Sequence, residues 1–237
     1  MKKCLIMDLD DTLCDYQQAK HNAKRKIDRY LSNRGINANY FWERYQEIEP
    51  FLFDLFTRKR ITIVEYRNRR FADALNSPSE ELISTLNKIY MGEANQHIEL
   101  FPDAKHFLEE LSDSEFVVAV LTNGPADGQR KKIKALGIES YIQQIYISSE
   151  IGFSKPNKEA FQLVLDDLHV EASNTWMIGD SIKYDMEGAK ACGIRSILVD
   201  RHHRYQGTDW MKISALTDLQ SDKRHFLDFC DDGRSND

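Results

Sequence analysis

The sequence has few cysteines, and their spacing excludes two common kinds of site. The 237 residues include four cysteines, at positions Cys4, Cys14, Cys192 and Cys230. None of them forms a CxxC pair, and no cysteine–histidine spacing fits a structural zinc site. A chain of this length does not need disulfide bonds for stability, so we expect reduced cysteines and a cytoplasmic location.

The chain also lacks a long apolar run near its N-terminus. After Met-Lys-Lys, only about four apolar residues precede Asp8, too few for a signal peptide or a membrane span. We therefore expect no membrane partner.

An excess of positive charge is absent as well. The 32 lysines and arginines are outnumbered by 38 aspartates and glutamates, which gives a formal net charge of −6. A nucleic-acid-binding protein is normally basic, so we expect no nucleic-acid partner. An anionic small substrate would need a locally positive site. Nothing in the sequence indicates an oligomeric state.

Apolar runs of strand length alternate with amphipathic stretches of helical length. The runs are not strictly alternating in polarity, as is typical of strands buried on both faces of a parallel sheet. The predicted strands are Cys4–Leu9, Phe116–Leu121, Ile145–Ser148, Thr175–Ile178 and Arg195–Val199. The helices predicted between them are Asp127–Leu136, Pro156–His169 and Met186–Cys192. This order predicts a doubly wound α/β core with right-handed crossovers.

One long region interrupts this alternation. From Tyr16 to Ile98 the sequence has no convincing strand, only charged amphipathic segments that predict a helical bundle. The helices predicted there are Ala19–Asn33, Tyr40–Glu49, Ile63–Leu75 and Ser79–Ala94. We therefore expect an α/β core formed by residues 1–15 and 99–225, an inserted helical domain at 16–98 and a polar tail at 226–237.

Polar residues follow several of the predicted strands. In open α/β sheets the ligand binds beyond the carboxyl ends of the strands, so these residues are expected to converge at one edge. They lie in four motifs: Asp8-Leu9-Asp10-Asp11-Thr12-Leu13, Thr122-Asn123-Gly124, Ser154-Lys155-Pro156, and Gly179-Asp180-Ser181 with Asp185 about one turn later.

The converging side chains suit phosphoryl transfer. Asp8, Asp10 and Asp180 would repel one another unless a hard divalent cation lay among them, and Mg²⁺ prefers such oxygen ligands. A magnesium ion would let an aspartate oxygen attack phosphorus. Lys155 and Thr122 would hold the phosphoryl oxygens, and Asp10 could protonate the leaving oxygen and then activate water.

Together the four motifs resemble the haloacid dehalogenase superfamily of phosphohydrolases. The resemblance runs from Lys3 to about Leu219, and the ordered set of motifs is far more specific than any one of them. It implies that the helical insert is the α-helical cap that closes over the active site in this superfamily. It also implies a magnesium-dependent phosphatase acting on a small phosphorylated substrate.

The resemblance further implies a role for each motif residue. Asp8 would be the nucleophile that forms an aspartyl-phosphate, and Asp10 the general acid and base. Thr122, Asn123 and Lys155 would bind phosphate. Magnesium would be held by the Asp8 carboxylate, the Asp10 backbone carbonyl and Asp180, with Asp185 either a direct ligand or a support behind it.

Simpler interpretations exist for individual residues. Thr122-Asn123-Gly124 alone is a turn signal. Asp180 could be a helix N-cap and Asp185 could cap the next helix. Asp11 is expected to face solvent or to cap the chain locally.

Three other functions compete with a phosphatase. A carbon–halogen hydrolase of this superfamily does not need the second aspartate, so the presence of Asp10 favours phosphate esters. A phosphomutase would shield the aspartyl-phosphate from water, which the sequence does not exclude. A non-catalytic binding protein would be expected to lack one of Asp8, Asp10, Lys155 or Asp180.

The substrate is expected to be chosen by the helical insert. The segment Arg58–Phe71 is rich in arginine, which predicts either contacts with an anionic substrate or a solvated helix face with ion pairs. Aromatic residues of the helical insert are expected either to stack on a base or to form the core of the bundle. They are Phe41, Trp42, Phe53 and Tyr66. A nucleoside 5′-monophosphate is the leading substrate hypothesis and a sugar phosphate the second.

Overall fold

Six short strands form one parallel sheet in a computed structural model that describes residues 2–75, 78–112 and 114–219. The strands are β1 (Lys3–Met7), β2 (Phe116–Thr122), β3 (Gln144–Ile147), β4 (Thr175–Gly179), β5 (Arg195–Val199) and β6 (Lys212–Ile213). Five of them confirm the predicted strands, with ends that differ by at most two residues. The two-residue strand β6 was not predicted, because so short a run has no readable pattern.

Helices occupy most of the remaining described chain. They are α1 (Tyr16–Ser32), α2 (Ala38–Thr57), α3 (Ile63–Ala72), α4 (Glu80–Gln96), α5 (Pro102–Leu111), α6 (Ala126–Leu136), α7 (Ser148–Ile151), α8 (Lys158–Leu168) and α9 (Glu187–Ala191). A π-helical turn, Ile182–Met186, leads into α9. The predicted tail and Cys230 lie outside the described residues. Cys4, Cys14 and Cys192 are reduced cysteines. Among the described residues, no helix is both long and apolar enough to cross a membrane.

The strand order explains where a site can form. The order is β3-β2-β1-β4-β5-β6, and each neighbouring pair is parallel. Chain connections therefore run in opposite directions from the middle of the sheet, where β1 lies beside β4. Ligand crevices in doubly wound sheets form at such a switch point, outside the carboxyl ends of the strands. The predicted α/β fold class is confirmed.

The chain divides into two compact units. One, here the sheet unit, comprises the described residues within Met1–Cys14, Leu100–Thr122 and Gly137–Asp237. The other, here the helical unit, comprises those within Asp15–Glu99 and Asn123–Leu136. The sheet unit is held by apolar residues such as Ile6, Phe161 and Met177, all fully buried.

The helical unit has an aromatic core and well-capped helices. Phe41, Tyr45 and Phe71 stack within this core, with ring centroids 5.6–6.2 Å apart. Thr62 and Glu65 form a reciprocal capping box at the start of α3. No strand occurs among the described residues 15–99, as the sequence predicted.

Several helix ends differ from their predicted positions, among them the end of α2 and the start of α8. The helix predicted to end at Glu49 continues through Pro50 to Thr57. Proline interrupts a helix at a cost of about 3 kcal/mol, but burial of Leu52 favours continuing the helix. The helix predicted to start at Pro156 begins at Lys158 instead, because Pro156 lies in a turn.

Helix α6 groups with the helical unit, although the sequence assigned it to the α/β core. Arg67 on α3 donates two hydrogen bonds to the Asp127 carboxylate at the start of α6, at 2.7 and 2.9 Å. Lys132 lies 3.8 Å from the centre of the Tyr16 ring. These non-local contacts have no sequence pattern, so the predicted boundaries could not include them. That residues 16–98 act as a cap stays a prediction.

Candidate active site

Asp8 and Asp180 are brought together by adjacent strands. Asp8 directly follows β1, and its backbone N–H donates to the Ile178 carbonyl of β4 at 2.9 Å. Asp180 directly follows β4, so both carboxylates emerge at the same edge of the sheet. The parallel register of β1 and β4 therefore explains why residues so distant in sequence are neighbours.

Lys155 joins two of the carboxylates. Its Nζ lies 2.6 Å from Asp8 Oδ1 and 2.6 Å from Asp185 Oδ1. The Lys155 side chain is 2% exposed, and those of Asp8 and Asp185 are 10% and 1% exposed. Lys155 reaches this position from the turn before α8, where the Asn157 N–H donates to the Ser154 carbonyl. The lysine expected at the same edge of the sheet does lie there.

Asp185 is held from a second side. Its Oδ2 accepts a hydrogen bond from the Ser181 backbone N–H at 3.0 Å. A Cβ atom on Gly179 would lie 2.3 Å from that same oxygen, so only glycine leaves room for the carboxylate. The Ser181 side chain caps the following π-helical turn by accepting from the Tyr184 N–H. Ser181 is therefore the N-cap of this turn, and α9 after it has no side-chain cap. The interpretation of Asp180 and Asp185 as helix N-caps is wrong.

The carboxylates form a donor set that fits a small hard cation. One carboxylate oxygen from each of Asp8, Asp180 and Asp185 lies within 4.8 Å of the other two. Oxygen donors of this kind suit Mg²⁺, which usually completes its coordination with waters and substrate phosphate. The residues present thus fit the magnesium ion expected from the sequence.

The site holds more negative charge than Lys155 neutralises. Burial raises the pKa of Asp8 well above its usual range, the Lys155 ammonium opposes this rise, and Asp185 and Asp180 add to it. Burial, and then the charge of Asp185, raises the pKa of Asp180 to about 6. Burial lowers the pKa of Lys155. The negative charges of Asp185 and Asp8 raise it by more, so the pKa of the lysine lies above its ordinary value. A bound cation would relieve this repulsion.

Three other predicted residues lie at or near the strand ends. Asp10 is outside the three-carboxylate cluster, and its Oδ1 lies 3.7 Å from the Cys14 thiol. Thr122 is the buried last residue of β2, the other neighbour of β1. Asn123 follows Thr122, groups with the helical unit and accepts a hydrogen bond at its carbonyl from Gln129. The structure therefore gathers Asp8, Lys155, Asp180 and Asp185 most tightly.

Two residues depart from what the sequence indicated. Asp11 is buried, with a left-handed φ of 62°, so the expectation that it faces solvent was wrong. Arg204 was not predicted at all, yet it donates to the Asp180 carboxylate at 2.7 Å. A signal existed, because Arg204 follows β5 at the same edge of the sheet as the other site residues.

The arginines and aromatics of the helical unit have mostly structural partners. Phe41 and Trp42 lie in its core, and Tyr66 stacks on Phe56 with ring centroids 5.5 Å apart. Arg70 is 3% exposed, and its guanidinium lies over the rings of Tyr66, Phe71 and Tyr90. Arg69 pairs with Asp73 at the surface. The core interpretation holds for these aromatic residues and the ion-pair interpretation for Arg69, whereas the buried Arg70 fits neither of the two alternatives given for the arginines.

Comparison with known proteins places this geometry in a family. The model of the haloacid dehalogenase-like hydrolases matches residues 2–193. The chain is 33% identical to a ribulose-1,5-bisphosphate 5-phosphatase of Halopiger xanaduensis, over 96% of each chain. It is 32% identical to a phosphoserine phosphatase of Thermus thermophilus, over 57% of this chain and 55% of that protein.

A solved structure of a HAD-hydrolase has a similar fold. The HAD-hydrolase YfnB of Bacillus subtilis, crystallised with magnesium, superposes with a TM-score of 0.77. The match has 26% sequence identity and covers 96% of this chain and 99% of that one. The family model covers most of the chain, and the Halopiger relative covers nearly all of it. The chain therefore belongs to the haloacid dehalogenase-like hydrolases.

Proposed function

We propose that the chain is a magnesium-dependent phosphatase that hydrolyses a small phosphorylated metabolite through an aspartyl-phosphate on Asp8. Membership of the family, and relatives that are named phosphatases, confirm the predicted class of enzyme, a hydrolase of phosphoric monoesters. The residue roles and the metal below are part of the proposal.

The observation that carries the proposal is the position of Asp8. Its carboxylate lies at the end of β1, hydrogen-bonded to Lys155 and within the carboxylate cluster. Magnesium bound there would neutralise these carboxylates and the substrate phosphate. Asp8 is thus placed where its oxygen can approach phosphorus with the charge repulsion removed.

The first step transfers the phosphoryl group to Asp8. An Asp8 carboxylate oxygen forms a bond to phosphorus while the bond from phosphorus to the ester oxygen breaks. Asp10 gives its proton to the departing alcohol oxygen. Lys155 and Thr122 hold the phosphoryl oxygens as negative charge spreads over them.

The second step releases phosphate. Asp10, now ionised, takes a proton from a water molecule whose oxygen attacks phosphorus. The bond between phosphorus and the Asp8 oxygen breaks, which regenerates the Asp8 carboxylate and leaves Asp10 protonated for the next cycle. The same aspartate therefore acts first as acid and then as base.

The presence of Asp10 also favours hydrolysis of a phosphate ester over hydrolysis of a carbon–halogen bond. Displacing a halide produces no alkoxide that needs a proton, so a dehalogenase would have no use for this carboxyl group. A phosphomutase stays an alternative, and transfer of phosphate to an added alcohol instead of water would identify it.

The proposed substrate class is a small metabolite that carries a phosphate ester. Of the two alternatives given for the aromatic residues, packing within the helical unit is the one observed, so these residues do not favour a nucleotide. The full-length relative acts on a sugar phosphate, which makes sugar phosphates the first class to test. The nucleoside 5′-monophosphate hypothesis stays a prediction.

The proposal is tested by assaying p-nitrophenyl phosphate hydrolysis with Mg²⁺ and with excess chelator. Activity that requires Mg²⁺ supports the proposal, whereas full turnover in chelator contradicts it. A panel of sugar phosphates, phosphoserine and nucleoside 5′-monophosphates, compared by kcat/KM, then identifies the substrate. A 2-haloacid, assayed by halide release, serves as the control for the competing reaction.

A further inference from the structure

The segment after β5 carries two arginines beside the site. We call Asp200–Tyr205 the arginine turn. Strand β5 pairs with β4 in parallel, so this turn and Asp180 emerge at the same edge of the sheet. None of the four sequence motifs includes it.

The arginine turn is held by a buried carboxylate. Asp200, which is 1% exposed, accepts hydrogen bonds from the backbone N–H groups of Arg204 and Tyr205 at 2.7 and 3.1 Å. Lys212 lies 3.5 Å from the same carboxylate. The backbone that carries Arg204 is therefore fixed from within the turn.

Arg201 anchors the other side of the turn. Its Nη1 donates to both carboxylate oxygens of Asp103 at 3.0 and 2.9 Å, and its Nη2 donates to the Thr12 carbonyl at 2.8 Å. Thr12 belongs to the same loop as Asp8 and Asp10. The arginine turn is thus tied to the loop that carries the proposed nucleophile.

Arg204 completes the arrangement by binding Asp180 twice. Its Nη2 donates to Asp180 Oδ2 at 2.7 Å and to the Asp180 carbonyl at 3.2 Å. One nitrogen that holds both the main chain and the side chain of a residue restricts rotation of that side chain. Among the described residues Asp180 Oδ1 has no hydrogen-bond partner, so this oxygen is left for another ligand.

Building on the proposed function, we propose that Arg204 is a positioning residue that holds the Asp180 carboxylate so that Oδ1 is presented to magnesium. The guanidinium does not touch substrate and takes no part in proton transfer. Groups that orient metal ligands in this way typically change metal affinity about 10- to 100-fold when they are removed. The alternative is that Arg204 only neutralises Asp180 and competes with the cation.

The two roles predict opposite results in a magnesium titration. The thermal midpoint of the full-length protein is followed as Mg²⁺ is added, without substrate, for wild type, Arg204→Met and Arg204→Lys. Positioning predicts that Arg204→Met needs about 10-fold more Mg²⁺ for half of the maximal stabilisation, with partial recovery in Arg204→Lys. Competition predicts a lower Mg²⁺ requirement in Arg204→Met.

A matched control removes the same charge from the start of β5, the strand that precedes the arginine turn. Arg195 begins β5, and its guanidinium lies over the Trp176 ring. We expect Arg195→Met to leave the Mg²⁺ requirement unchanged. Thermal midpoints in chelator show whether Arg204→Met is folded, and Arg204→Lys gives the comparison if it is not.

The outcomes separate this inference from the proposed function. A Mg²⁺ requirement in Arg204→Met that is unchanged or lower overturns the positioning role while leaving the phosphatase proposal intact. A wild-type protein that Mg²⁺ does not stabilise and that does not hydrolyse p-nitrophenyl phosphate overturns both.

Discussion

Lys155 Nζ lies 2.6 Å from Asp8 Oδ1, although the two residues are 147 positions apart in the chain. Both side chains are almost completely buried, so each charge depends on the other for its stability. The contact places a cation against the proposed nucleophile. We therefore expect Lys155 to contribute to the stability of the fold as well as to the proposed chemistry.

Replacing Lys155 should therefore destabilise the protein. In Lys155→Met, the buried carboxylates of Asp8 and Asp185 lose their cation, and we expect the free energy of unfolding in chelator to fall by about 3 kcal/mol. Urea denaturation measures this change. Lys24→Met, which removes a half-exposed pair with Asp28, should cost less than about 1 kcal/mol. Equal costs for the two variants would mean that the buried contact contributes little.

Removing either motif aspartate should abolish most activity. We expect Asp8→Asn and Asp10→Asn each to lower the rate of p-nitrophenyl phosphate hydrolysis at least about 10²-fold. Asp8→Asn lacks the attacking oxyanion, and Asp10→Asn can neither give nor take the proton. Full activity in Asp10→Asn would show that another group is the acid and base.

Gly179 should not tolerate even one added methyl group. In Gly179→Ala the new Cβ would meet Asp185 Oδ2 at 2.3 Å, so the carboxylate must shift from the position in which it binds Lys155. We expect a loss of about 1–3 kcal/mol in unfolding free energy, together with weaker magnesium-dependent stabilisation. Gly92→Ala is the matched control, because nothing lies within 4 Å of its added Cβ within helix α4. That variant should gain about 0.5–1 kcal/mol. Unchanged stability in Gly179→Ala would contradict the close approach.

Asp200 should stabilise the protein in a pH-dependent way. Burial opposes its ionisation, but the backbone donors of Tyr205 and Arg204 outweigh this effect and lower the pKa of the carboxyl below its usual range. Its stabilisation is therefore complete above the ordinary aspartate pKa of about 3.9, and it is lost as the pH falls through the lower folded-state pKa.

The comparison is made with Asp200→Asn. We expect this variant to be about 1–2 kcal/mol less stable than wild type at pH 7, with a difference that shrinks in strong acid. Urea denaturation across a pH series measures it. Asp54→Asn, which removes half of an exposed ion pair with Arg58, should differ from wild type by less than about 1 kcal/mol at any pH. A constant difference for Asp200→Asn would mean that its charge has no part in holding the turn.

Much of the fold could be predicted because its signals are local. Buried strands such as β2 are continuous apolar runs, and the capping box of Thr62 and Glu65 marks a helix start within four residues. The continuation of α2 through Pro50 was missed for the opposite reason. The helix continues because packing of the buried Leu52 side chain outweighs the helix-breaking effect of Pro50.

The candidate site was predictable to the same extent. Asp8, Thr122 and Asp180 each follow a recognisable strand, and Lys155 belongs to an ordered set of motifs. Arg204 follows a recognisable strand too, but its double contact with Asp180 depends on how the arginine turn folds. Asp11 was misjudged because its left-handed backbone and burial come from the loop as a whole.

The sequence by itself determined the order of the strands along the chain and the helical insert, and it predicted which residues would carry the chemistry. These follow from periodicity and from the rule that polar groups cluster where parallel strands end. Only the tertiary structure decided that Lys155 would hold both Asp8 and Asp185, that α6 would join the helical unit, and that Arg204 would hold Asp180. Each of these is a contact between segments far apart in sequence, and such contacts are set by packing and charge in three dimensions.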